Sequence, residues 1–157
     1  MSTKLSDKQQ ETLETLDEAM ELLKQYPDAY VFIKLYQSYI HDIDDIIDLP
    51  ELRTPANILK ITSKASMLFS LPFWKVNSDQ LLILEQCINN TYADSVIWEK
   101  SALNWQRTDA NVLRHSGIDM FFAAILICCG YDKMREISTK FRERCHLLHM
   151  DSEGKTI

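Results

Sequence analysis

Residues 81–105 read LLILEQCINNTYADSVIWEKSALNW. Leu81, Leu84, Ile88, Ser95, Trp98, Ala102 and Trp105 recur at alternating spacings of three and four, with Thr91 in the same row. A strand would alternate every two residues, whereas this row follows one edge of a helix. An edge that long needs other helices to lie against, so the stretch predicts a bundle. Asn77 or Ser78 is the expected cap at its start.

Downstream, Thr108 or Asp109 caps a fifth helix that Gly130 closes as a left-handed C-cap. Its second half, Ile118 to Cys129, is apolar on nearly all sides apart from Asp119. That run is too short to span a bilayer and reads as a central core helix. A sixth helix turns Met134, Ile137, Phe141, Cys145 and Leu148 inward and carries Lys133, Arg135, Lys140, Arg142 and Arg144 on its polar side. The tail is expected to fray from about Asp151.

Upstream, Thr54 and Pro55 open a third helix through Ile58, Ile61, Ala65, Leu68 and Phe69, ending at Pro72. The second helix, from about Ala29 to Asp48, carries a stripe of Phe32, Tyr36, Tyr39, Ile43 and Ile46. The first starts in a capping-box pattern at Ser6 and Gln9 and places Leu13, Leu16, Met20 and Leu23 on a narrow, coiled-coil-like edge. With 157 residues but only 3 Gly and 4 Pro, the chain has little material for tight turns. The expectation is therefore one all-α domain over 1–157: a bundle of about six helices, mostly antiparallel, around the apolar helix near 118–129.

The net charge of −6 argues against a nucleic-acid partner, which needs cations to displace phosphate counterions. Residues 1–50 hold eleven acids and four bases, and residues 131–157 five acids and six bases. This split favours attraction between the acidic first part and the basic last helix, within or between chains. The acidic, amphipathic first thirty residues do not read as a signal peptide, and no segment reads as a membrane anchor. Cys87, Cys128, Cys129 and Cys145 form no C-x-x-C pair, which fits reduced thiols and a cytoplasmic location.

One segment has chemistry in it. Residues 41–53 read HDIDDIIDLPELR and contain D-D-x-x-D at Asp44, Asp45 and Asp48. Carboxylates three and four apart share a helix face and can share Mg²⁺. The segment resembles the first aspartate-rich motif of the prenyl-diphosphate synthases of the isoprenoid-synthase family, which is often preceded by His and followed by a Leu-Arg pair, here Leu52 and Arg53. The resemblance covers about a dozen residues. It implies Mg²⁺ held by Asp44, Asp45 and Asp48, with Arg53 near a bound diphosphate. That family also uses a second acidic motif on a facing helix, for which Asn90, Asp94 and Glu99, or Thr91, Ser95 and Glu99, are the nearest candidates.

Helical geometry gives the segment a second reading. Lys34, Gln37, His41, Asp44, Asp45 and Asp48 fall opposite the apolar stripe, as on an ordinary solvated face. Four aspartates within seven residues near a helix C-terminus oppose the dipole at a cost of roughly 1–2 kcal/mol. They call for a compensating cation, either Mg²⁺ or a basic side chain.

Smaller constellations read mainly as helix surface. Cys145, His146 and His149 could ligate Zn²⁺ but lack a second ligand cluster. His115 and Asp119 are spaced as a general-base pair, with an ion pair as the simpler reading. Glu11, Glu14, Asp17, Glu18 and Glu21 read as a solvated face. No Gly-rich phosphate loop is present. The leading expectation is a non-enzymatic bundle acting through a protein partner or a second copy of itself, with dimerisation through the first helix. The alternative is a Mg²⁺-dependent protein that binds or processes a diphosphate.

Overall fold

Prolines set the frame. Pro27, Pro55 and Pro72 each occupy a first helical position, where the missing N–H costs nothing and the fixed φ suits a helix. The computed structural model describes residues 17–148, with side chains to residue 143. In chain order the elements are α1 (17–23), α2 (Pro27–Asp48), α3 (Pro55–Ser70), α4 (Pro72–Trp98), α5 (Asn104–Arg114), α6 (Ile118–Cys129) and α7 (Tyr131–Leu148). Short 3-10 turns occupy Pro50–Leu52 and His115–Gly117. Every regular element among the described residues is helical, so the chain is an all-α bundle.

Side-chain contacts fix the pairing. Lys60 and Lys64 of α3 reach back to Asp42 of α2, and Lys64 also to Ser38, so these two helices run antiparallel. Trp98 meets Trp105, and Arg114 meets Tyr92, so α4 and α5 form a second antiparallel pair. Phe122 against Phe141 and Asp119 against Arg142 give the same sense to α6 and α7.

The core gathers Leu23, Phe32, Ile33, Leu68, Leu81, Met120 and Ile125, all essentially inaccessible. Phe32 lies 5.3 Å from the Phe73 ring and 6.0 Å from Trp74, tying α2 to the start of α4. By length and composition alone, the helical run Asn104–Cys129 could cross a membrane. In the bundle, Met120, Phe121, Phe122, Ala124 and Ile125 of that run are buried in the core, as a central helix requires.

Two boundaries differ from expectation for local reasons. Helix α4 begins at Pro72 rather than beside Asn77, because Leu71 is held extended before the proline (ψ 146°) and Pro72 starts the helix at once. Asn77 and Ser78 then lie inside the helix and turn back onto the carbonyls of Phe73 and Lys75. The seam also ends early. Ser101 accepts from the Leu103 N–H and contacts Gln106, while Arg107 donates to the Ser101 carbonyl, so residues 99–103 turn the chain. Leu81, Ile88 and Ser95 are buried as expected, but Trp105 lies beyond the turn and is 54% exposed. A 3-10 turn also divides the expected fifth helix into α5 and α6. Gly130 ends α6 with the expected positive φ of 85°, although its ψ of 173° is extended rather than left-handed helical.

Candidate functional site

The aspartates of α2 do not share one environment. Asp44 and Asp48, four apart, both point to Arg114 of α5, whose Nη1 donates to them at 3.0 and 3.1 Å. The same nitrogen donates to the Tyr92 hydroxyl at 3.0 Å, and Nη2 donates to Glu99 at 2.5 Å. Tyr92 in turn donates to Asp44, and its ring lies 5.2 Å below the guanidinium carbon. Burial, and then the Asp44 carboxylate, push the Tyr92 hydroxyl well above the ordinary phenol range, so it stays a donor. Three carboxylates thus converge on one cation, which leaves the cluster two charges negative.

Asp45 is exposed and lines a separate hollow of about 210 Å³ between α2 and α3, with Asp42, Asn57 and Lys60. Asp42 is satisfied by Lys64 and by Lys60 at 3.1 Å. Partial burial works against its charge, but the two ammonium groups outweigh that and hold the carboxyl below its ordinary range. Arg53 lies elsewhere again. Its Nε and Nη2 donate to the Ile46 and Ile47 carbonyls at 2.9 and 2.8 Å, so it caps the C-terminus of α2 and meets the negative end of the dipole. Among the described residues no group of three or more His, Cys, Asp or Glu side chains is placed to hold a metal ion. The compensating cations come from α3, α5 and the turn after α2. In α7, Lys133 and Lys140 pair instead with Glu136 of the same helix, and Arg142 with Asp119 of α6.

Beside the Arg114 cluster opens a cleft of about 300 Å³ between α2, α6 and α7. Ile33, Ile40, Ile118, Phe121 and Phe141 contribute its apolar wall, and Gln37, His41, Asp44, Tyr92, Arg114 and His115 its polar end. One side of α2 expected to be solvated therefore faces a cavity at Gln37, His41 and Asp44, while Asp45 and Asp48 are exposed.

Sequence reasoning passed over one buried carboxyl. Glu85 is 2% exposed on the inner face of α4; it accepts from the Tyr36 hydroxyl at 2.8 Å and from Asn89 at 3.4 Å. Burial raises its pKa, with Tyr36 and Asn89 pulling the other way. Its position was a signal: it falls four residues after Leu81 and three before Ile88, inside the buried row. Arg114 and Tyr92 carried no comparable signal, because their partners lie 70 and 48 residues away.

The remaining candidates separate. The ring Nδ1 of His115 lies 2.7 Å from the Asn111 carbonyl, while Asp119 pairs with Arg142 at 2.6 Å. Asp17, Glu18 and Glu21 are exposed. The side chains of Cys145, His146 and His149, the capping box at Ser6, and Leu13, Leu16, Glu11 and Glu14 lie outside the described residues. Comparison with protein-family models, with curated proteins and with solved structures finds no match to this chain.

Proposed function

We propose that the protein is a non-enzymatic binding bundle that associates with a helical partner, in the first place a second copy of itself, through the outward face of α4. One observation carries this reading. Val76, Ile83 and Ile97 stand at seven-residue spacing on α4, with Asn90 in the same row, and they are 83%, 68% and 66% exposed. The inner row of Trp74, Leu81, Ile88 and Ser95 has the same spacing and is buried. Helix α4 thus carries two rows at heptad spacing, of which its own bundle covers one. A single Asn in an otherwise apolar row fits a seam that fixes register, since its amide can pair across a two-fold axis. Leu23, expected on a dimerising first helix, is instead fully buried in this chain's own core, with Met20 packed against that core. The thiols of Cys87, Cys128 and Cys129 are free, which supports a reducing, cytoplasmic setting. Sedimentation velocity over a concentration series should show reversible dimerisation of the wild type and a monomer for Ile83→Glu with unchanged helicity. A wild type that stays monomeric throughout, matching the variant, would remove the proposal.

A second reading has its own support. Glu99 near the end of α4 meets Asp44 and Asp48 of α2 across Arg114, so acids of two facing helices already converge on one positive charge. In this reading Mg²⁺ takes over from Arg114 between Asp44, Asp48 and Glu99 and holds a diphosphate, while Asp45 and Arg53, which the resemblance assigns to the metal and the diphosphate, stay on the other flank of α2. Calorimetric titration of Mg²⁺, with and without inorganic diphosphate, tests it. Saturable binding strengthened by diphosphate and lost in Asp48→Asn is the expected result; no heat in the wild type rejects it.

A further inference from the structure

The cleft beside Arg114 has an occupant class written into its charge. We propose that it binds a small organic amine, with the protonated nitrogen on Asp44 and the apolar body along Ile40, Ile118, Phe121 and Phe141.

Size comes first. About 300 Å³ is at the lower end of small-molecule sites, which suits a compact ligand rather than a long acyl chain or a peptide helix. The wall is mainly apolar, so most of the affinity must come from hydrocarbon or aromatic surface. Polarity is confined to one end, and there the sign of charge decides. Arg114 could attract an anion through its remaining N–H groups, but Nη1 and one hydrogen of Nη2 already serve Asp44, Asp48, Tyr92 and Glu99, whose carboxylates surround it. An anionic head would meet a cluster two charges negative. A cation is attracted by the same cluster and displaces nothing.

Asp44 is the acid that lines the cleft. Its Oδ1 accepts from both Tyr92 and Arg114, while Oδ2 carries no hydrogen bond from the described residues. An ammonium placed there would gain a charge-assisted bond in a half-buried setting, where such bonds are stronger than in open water. The two groups already on Oδ1 hold the carboxylate in place, so the ligand need not order it. Protein charge of −6 adds a long-range attraction of the same sign.

The test uses the full chain, free of divalent ions, so that its outcome does not depend on the Mg²⁺ reading. Three probes of matched shape are titrated with amide chemical shifts as the readout: 2-phenylethylamine, 2-phenylethanol and 3-phenylpropanoate. The amine should saturate and shift residues around Ile40, Ile118 and Phe121, binding about tenfold or more tighter than the alcohol. The carboxylate should bind more weakly than the alcohol. Asp44→Asn keeps acceptors for Tyr92 and Arg114 and should bring the amine down to the level of the alcohol, leaving the alcohol unchanged. Ile40→Phe fills the cleft and should weaken amine and alcohol together. The proposal is overturned if the carboxylate binds as well as the amine, if no probe shifts the cleft residues, or if amine affinity survives both substitutions.

Discussion

The two flanks of α2 carry similar acids and settle them differently. Toward α3, Asp42 has two lysines, and Arg53 closes the helix end nearby. Toward α5, Asp44, Asp48 and Glu99 share one arginine. On the first flank Asp42 and Asp45 are matched by Lys60 and Lys64, and the hollow there is the smaller of the two. The second is over-supplied with acid and opens onto a hydrophobic cleft. A network that only had to hold helices together would gain nothing from unpaired carboxylate charge, and the proposed amine site rests on this imbalance.

Removing the shared cation should break this comparison most visibly. Arg114→Ala leaves three carboxylates together with nothing between them and strips the Tyr92 ring of its cover. A loss of about 2 kcal/mol in urea unfolding is expected, recovered in part at high salt as the repulsion is screened. A loss below about 0.5 kcal/mol would mean that the α5 flank is as slack as an exposed ion pair.

Glu85 sharpens the contrast from inside the bundle, where no base among the described residues reaches it. Its carboxyl is held above the ordinary glutamate value by burial, so between the two values the folded chain keeps a proton that the unfolded chain releases. The group's contribution is therefore complete below the ordinary glutamate pKa and is lost as pH rises through the raised value. Glu85→Gln keeps an acceptor for Tyr36 without the charge. It should stabilise the protein by about 1 kcal/mol at pH 7 and change little near about pH 4. Equal effects at both pH values would show that the carboxyl is not protonated on folding.

How much of this was legible in sequence differs between the flanks for physical reasons. Thr54 accepting from the Asn57 N–H, the stripe through Phe32 and Tyr36, and the burial of Leu81 and Ile88 follow from local rules, because caps and helical faces are set within one or two turns. The opposing flanks of D-D-x-x-D were not legible as such. Asp45 sits 100° around the helix from Asp44, so adjacency in sequence became separation in space. The missing counter-charge was visible as a need, since four aspartates near a helix C-terminus oppose the dipole. Its source was not, because helix pairing decides which base arrives. Arg53, read through the family resemblance as a diphosphate contact, is placed on the end of its own neighbouring helix. The breaks at 99–103 and 115–117 escaped because an unbroken apolar period was read through residues whose side chains bond to the backbone.

The α3 flank offers the smaller and cleaner tests. Lys64 and Asp42 are both largely covered, and Lys64 also bonds the Ser38 hydroxyl and carbonyl. Lys64→Met keeps the apolar stem and should cost about 1 kcal/mol at neutral pH. The sign of its pH dependence is opposite to that of Glu85. Asp42 is held below the ordinary range, so its contribution is present above the ordinary aspartate pKa and lost as pH falls through the lowered value. Wild type and Lys64→Met should therefore converge in acid, where Glu85→Gln also loses its advantage. Smaller still is Arg53→Ala, which frees two carbonyls at an exposed helix end and should cost about 0.5 kcal/mol, as unfolding in urea would register. Because Arg53 serves α2 rather than a ligand, the same substitution should leave amine binding at Asp44 unchanged while Arg114→Ala alters it. If the two substitutions changed that binding alike, the flanks would have to be treated as one site, and the division of the aspartates drawn from their partners would no longer hold.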